Sequence, residues 1–146
     1  MTTVAEILKT KPDAQIYSVA PSDSVLAALQ LMADKGIGAL LVLQDGAIVG
    51  IFTERDYARK LALRGRTSMD TPVRDVMTAS VLCVRPNQTS EQCMQIMTGK
   101  RLRHLPVVDE AGQLLGMISI GDLVKDIISE QKFLIEQLEH YITGSR

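Results

Sequence analysis

The chain repeats itself, and that repeat restricts its fold more than any other feature. Pro21 and Pro86 are 65 residues apart, as are Met32 and Met97, and Val42 and Val107. Gly50 and Gly116 are 66 apart, as are Asp56 and Asp122, and one extra residue in the Asp109-Glu110-Ala111-Gly112 turn accounts for the change. A period of this length means two copies of one supersecondary unit, divided near Arg66 to Pro72. Residues 1–66 then form copy one with its lead-in segment, 67–128 copy two, and 129–146 a helical extension. A unit of roughly sixty residues is marginal when it folds alone. The copies are therefore expected to share a core, as a pseudo-two-fold pair with a cleft between them.

Patterning assigns the elements of each copy. In copy one, Val4 to Leu8 read as a short lead-in helix, followed by a polar loop through Gln15. Ile16 to Val19 alternate as a strand, and Pro21 stops it. Ser22 or Asp23 can cap the next helix, whose residues Val25, Ala28, Leu29 and Met32 form one apolar face and which Gly36 ends. Ala39 to Leu43 are apolar throughout, as in a central strand covered on both faces. Gln44-Asp45-Gly46 signals a hairpin turn, Ile48 to Phe52 return as a strand, and Glu54 to about Arg64 form a helix ended by Gly65. Copy two repeats the order with a lead-in at Val73 to Met77, a strand at Val81 to Val84 and a helix face of Ser90, Cys93, Met94 and Met97. Strands at Leu105 to Val108 and Leu114 to Ile118 follow, then a long helix from about Leu123 to Ile142. In that helix Ile127, Leu134 and Tyr141 are spaced by seven, as are Ile128, Ile135 and Ile142, a stripe that fits a second subunit.

Composition removes several function classes. A net charge of −1 gives no electrostatic reason for nucleic acid or an anionic membrane as partner. The longest apolar run, Ala39 to Leu43, is far too short to span a bilayer. The first residues lack the basic and apolar regions of a signal peptide, so a cytoplasmic protein is expected. Cys83 and Cys93 read as structural thiols, and two cysteines with two histidines are too few for a zinc site. No Walker A, H-E-x-x-H or G-x-G-x-x-G motif is present; Gly36-Ile37-Gly38 lacks the third glycine and follows a helix. An enzyme is not expected, although a small nucleotide-processing activity through His104 is a rival reading.

The segments Gly50-Ile51-Phe52-Thr53-Glu54-Arg55-Asp56 and Gly116-Met117-Ile118-Ser119-Ile120-Gly121-Asp122 carry the candidate chemistry. Each is a strand breaking into a helix, with a hydroxyl at the N-cap and an acid three residues on. One reading is a helix cap. The other is a ligand end: free N–H groups at a helix start attract an anion, and an aspartate can accept both hydroxyls of a ribose. Lys100-Arg101-Leu102-Arg103-His104-Leu105-Pro106 supplies a basic run, against an uncharged Gly38-Ala39 in copy one. Arg55 and Arg59 can add to a site at Thr53 or stand in solvent.

Together the two Gly-h-h-Thr/Ser-x-x-Asp segments, the Arg103-His104-Leu105-Pro106-Val107-Val108-Asp109 strand and the lead-in Asp75-Val76-Met77-Thr78 resemble a tandem CBS-domain pair, the Bateman module. The resemblance spans roughly residues 5 to 128 and leaves no catalytic domain over, as in a stand-alone pair. It implies an α+β fold of two β-α-β-β-α repeats and a homodimer of four repeats. It also implies regulation of another protein through an adenosine ligand in the cleft: AMP first, NAD second, or ADP, ATP or S-adenosylmethionine, with no metal. The same likeness implies that Asp56 and Asp122 take riboses and that Thr53 and Ser119 bond ribose or phosphate. Ile16, Tyr17, Ser80 and Val81 would flank adenine, and Arg103 and His104 would meet the phosphate of the nucleotide on Asp56. Arg55, Pro106 and Gly121 complete the implied set. A scaffold protein acting through dimerisation is the alternative.

Overall fold

A computed structural model describes residues 2–11 and 16–143. The chain is α+β, with its elements in the order α1 (Val4–Thr10), β1 (Ser18–Val19), α2 (Val25–Lys35), β2 (Ala39–Gln44), β3 (Ala47–Thr53) and α3 (Glu54–Lys60), then α4 (Ser90–Lys100), β4 (His104–Val108), β5 (Leu114–Ser119) and α5 (Ile120–Thr143). Most of the polar loop expected before Ile16 is residues 12–15, outside the described range.

Two compact units result, and the lead-in segments cross over between them. One unit comprises the described residues of Met1–Ala14 and Cys83–Arg146, the other those of Gln15–Leu82. Matching hydrogen bonds fasten each lead-in. In the first unit Val4 N donates to Gln88 O (2.8 Å) and Ala5 N to Pro86 O (3.0 Å). In the second, Val73 N donates to Asp23 O (2.8 Å) and Arg74 N to Pro21 O (3.0 Å). The duplicated prolines thus use their carbonyls in the same way.

The motif glycines have a packing reason. A Cβ at Gly50 would run into the sulfur of Met77, and one at Gly116 would come within 2.8 Å of Leu8 Cδ2. Each lead-in lays an apolar side chain across the glycine of the β3- or β5-type strand, where only hydrogen leaves room.

Each unit has its own apolar cluster. Val25, Ala28, Met32, Leu40, Val42, Phe52, Leu61, Val73 and Val76 fill one, and Val4, Ile7, Val84, Cys93, Met97, Leu105, Val107, Ile118 and Leu123 the other. The central strands are buried on both faces as their apolar runs predict: Ala39 to Val42 in β2 and Leu105 to Val108 in β4. The β2–β3 turn has Asp45 and Gly46 at φ 52° and 81°, the positive values a tight hairpin requires.

Three boundaries differ from expectation. The cap of α2 is Ser24, whose hydroxyl accepts from Ala27 N, while Asp23 instead accepts from Ala20 N at 2.8 Å. The helix after Thr53 breaks at Leu61 into a 3₁₀ turn, Ala62–Arg64, before Gly65 at φ 69°. Val81 to Val84 form no strand: a single parallel bridge joins Val84 to Val107. Val84 N donates to Pro106 O and Val108 N to Val84 O, both at 2.9 Å. Extending that parallel ladder toward Leu82 would need a donor at residue 106, and proline has none. Copy one has Leu41 at that place, so β1 pairs with β2 over two residues, Ser18 with Leu41 and Val19 with Val42.

Candidate ligand-binding junctions

The two strand-to-helix breaks are built alike. At the first, Thr53 is extended and caps α3: its hydroxyl accepts from Asp56 N (3.2 Å) while Asp56 Oδ2 accepts from Thr53 N (3.0 Å), a complete capping box. At the second, Ser119 Oγ accepts from Asp122 N (3.2 Å) and Asp122 Oδ2 from Ser119 N (2.8 Å). The capping reading is therefore realised in both copies, and each carboxylate lies at the positive end of its helix.

Both carboxylates take further donors. Asp56, a buried residue, accepts from the Thr78 hydroxyl at 3.1 Å and pairs with Lys60 Nζ at 3.2 Å, both through Oδ1. Lys60 Nζ also reaches Thr78 Oγ1 at 3.4 Å. Asp122 Oδ2 pairs with Lys11 Nζ at 3.1 Å, and the same ammonium donates to Met117 O at 2.7 Å. Each aspartate thus accepts from an ammonium and a backbone amide within one unit, and Asp56 from hydroxyls as well.

The remaining sequence-derived residues divide between the units. Ile16 and Tyr17 precede β1 half-buried, with Lys35 Nζ 5.3 Å from the Tyr17 ring centroid. Ser80 and Val81 follow Thr78 in irregular chain, and Arg55 is exposed on the first turn of α3. These lie in the unit of Thr53 and Asp56. In the other unit His104 sits opposite Ser119 across the β4–β5 ladder, and Arg103 O accepts from Ile120 N at 2.8 Å. This brings the basic pair beside Ser119 and Asp122. Gly121 is in the first turn of α5, whereas Pro106 is buried within β4. Copy one shows the same arrangement without charge, Ala39 opposite Thr53 and Gly38 O accepting from Glu54 N.

Among the described residues no group of three or more acid, histidine or cysteine side chains is placed to hold a metal. No described helix is long and apolar enough to cross a membrane. Burial pushes the pKa values of the Cys83 and Cys93 thiols up, so both stay protonated near neutrality.

A model of the CBS domain matches residues 4–63 and again 73–129. The chain belongs to the CBS-domain family. Similar to this CBS pair is a mitochondrial CBS domain-containing protein of Arabidopsis thaliana, CBSX3, 37% identical over 98% of this chain and 73% of that protein. A solved structure of a protein with CBS domains from Burkholderia ambifaria superposes with a TM-score of 0.86 at 56% identity, covering 89% of this chain and 96% of that one. A further structure, of CBSX2 in complex with AMP, gives a TM-score of 0.73 at 29% identity, covering 90% and 99%.

Lys11, Lys60 and Thr78 are the partners of the two aspartates that sequence reasoning missed. Lys60 stands four residues after Asp56 on one helix, a spacing that signals a pair. Lys11 stands at the end of α1, 111 residues before Asp122, and nothing local joins them.

Proposed function

We propose that this CBS pair is a regulatory module that binds adenine nucleotides, AMP ahead of NAD, and passes occupancy on by a conformational change or a change in dimerisation. The observation that carries the reading is the repeated Thr/Ser-x-x-Asp junction, where each carboxylate is already held by ammonium and amide donors. Ribose hydroxyls are donors of the same kind, so they can replace the Thr78 hydroxyl or a lysine on the carboxylate. The displaced ammonium of Lys60 or Lys11 is then free to meet a phosphate, and Arg103 and His104 keep the phosphate role that the family resemblance gives them. The AMP complex of CBSX2, at 29% identity, supports an adenosine ligand of this class. Binding without turnover is the role assigned, and the response is a population shift limited by the ligand's differential affinity for the two states.

Isothermal titration and thermal shift with AMP, ATP, NAD and S-adenosylmethionine test this. A ligand at a hundred times its Kd adds about 2.7 kcal/mol of stability, several degrees for a chain of about this size. Asp56→Ala is expected to weaken binding about 10–100-fold, the worth of one or two charge-assisted bonds. Arg103→Ala should weaken AMP and spare adenosine; equal losses for both would remove Arg103 from the phosphate end. If no ligand shifts the transition, the nucleotide reading fails.

The second reading, a scaffold acting through dimerisation, is favoured by one observation. The distal half of α5 exposes Leu134, Ile135, Leu138, Tyr141 and Ile142. A homodimer formed along this stripe is compatible with either role.

A further inference from the structure

We infer that the groove between α1, α4 and the middle of α5 docks a basic, partly apolar segment of a partner protein. The groove is open, with a volume of about 580 Å³, and it lies wholly within the unit that holds α5. Glu6 of α1, Glu91 of α4, and Asp126 and Glu130 of α5 bring four carboxylates to its walls, and none of its lining residues is basic. Phe133 and Leu134, both well exposed, give it an apolar end.

Two further features select the occupant. Asp126 Oδ2 is, among the described residues, the one buried side-chain oxygen or nitrogen without a hydrogen-bond partner. A buried acceptor left unmade is costly, and a lysine or arginine entering the groove supplies the donor. The carboxylates are too dispersed to chelate a single ion, since no described cluster is placed to hold a metal. Dispersed negative charge beside exposed apolar surface complements a segment that alternates cations with apolar side chains.

The groove is distinct from the dimer stripe of α5. At about 100° per residue, Asp126, Glu130 and Phe133 project roughly a third of a turn away from Ile127, Ile135 and Leu138, and Leu134 stands on the border. Variants can therefore address the two faces separately.

Fluorescence anisotropy of the full chain with a labelled Lys/Leu peptide and its Glu/Leu counterpart, at physiological salt, tests the assignment. The Lys/Leu peptide is expected to bind and the Glu/Leu peptide not. Glu91→Lys combined with Glu130→Lys should weaken binding by on the order of tenfold or more. Phe133→Ala should weaken it as well, while Glu110→Lys, in the β4–β5 turn and outside the groove's lining, should leave it unchanged. All four sites are exposed, and circular dichroism checks that the fold is kept. Equal affinity for the two peptides, or equal binding by the double variant, would overturn the proposal. So would a double variant that changes oligomeric state, which would give the groove to a second copy. Displacement of the peptide by stoichiometric calcium or manganese would give it to a cation instead.

Discussion

Asp56 and Asp122 are equivalent acids at equivalent helix starts, yet each relies on a different lysine. Lys60 comes from one turn along the same helix, and its side chain is 38% exposed. Lys11 comes from the lead-in, is 23% exposed, and adds the 2.7 Å bond to Met117 O. Exposed helix pairs contribute little, since solvent screens them and ordering a lysine costs entropy. Lys60→Met is therefore expected to change stability by less than about 0.5 kcal/mol. Lys11→Met removes a less exposed pair and a charge-assisted bond together, with an expected loss of about 1–2 kcal/mol. Urea unfolding of the two variants measures both; a Lys11→Met midpoint equal to that of the wild type would show that the bond to Met117 contributes nothing. The Thr53–Asp56 box was legible because its partners are three residues apart. The Lys11 contact was not, because only the crossing of the lead-in creates it.

At the level of elements, the duplicated glycine is where a strand accepts a crossing lead-in. Gly50→Ala would drive its Cβ into the Met77 sulfur, with Thr78 O only 3.1 Å away. Overpacking of this kind costs about 1–3 kcal/mol. Met77→Ala should itself destabilise by opening a void, but in the double variant the two losses should partly cancel. A double-mutant cycle in urea reads that coupling, and strict additivity would show that the glycine is not required by Met77. The glycines stood out in the sequence through their 66-residue spacing, but the reason for them lay in the lead-ins, each adjacent in sequence to one copy and packed with the other. The apolar runs of β2 and β4 were readable because double burial leaves no polar alternation. The missing strand at Val81 to Val84 was misread for a non-local reason: its own residues suit a strand, and the obstacle is the absent N–H of Pro106 on the partner. The α2 cap was misplaced by one residue because Ser22, Asp23 and Ser24 can all cap, and Asp23 is used by Ala20 N.

Across the whole molecule, the duplication gives two units that each borrow a lead-in, and one helix, α5, runs far past its duplicate α3. α5 runs for 24 residues, about 36 Å at 1.5 Å per residue, and its distal half meets no comparable apolar surface within the described chain. Val124, Ile127, Ile128, Leu134, Ile135, Leu138, Tyr141 and Ile142 are all exposed along one side. The seven-residue repeats within it, Ile127 with Leu134 and Tyr141 and Ile128 with Ile135 and Ile142, are those of a helix-pairing seam, and apolar stripes of this kind mark association surfaces. A two-fold pairing would cover the same stripe on both copies, as closed symmetric dimers require. The expected outcome is a dimer by analytical ultracentrifugation at micromolar concentration. Ile135→Glu with Leu138→Glu should convert it to monomer, because the two buried charges would face their own images across the axis. These positions are exposed in the single chain, so the monomer should keep its helical content and its urea midpoint for the two cores. A wild-type chain that sediments as a monomer would leave the stripe to another partner. A charged variant that stays dimeric would move the interface elsewhere on the surface. Comparing AMP titrations of the monomeric variant and the wild type then decides whether nucleotide binding and dimerisation are linked, since linkage demands that a ligand favouring one state bind the other more weakly.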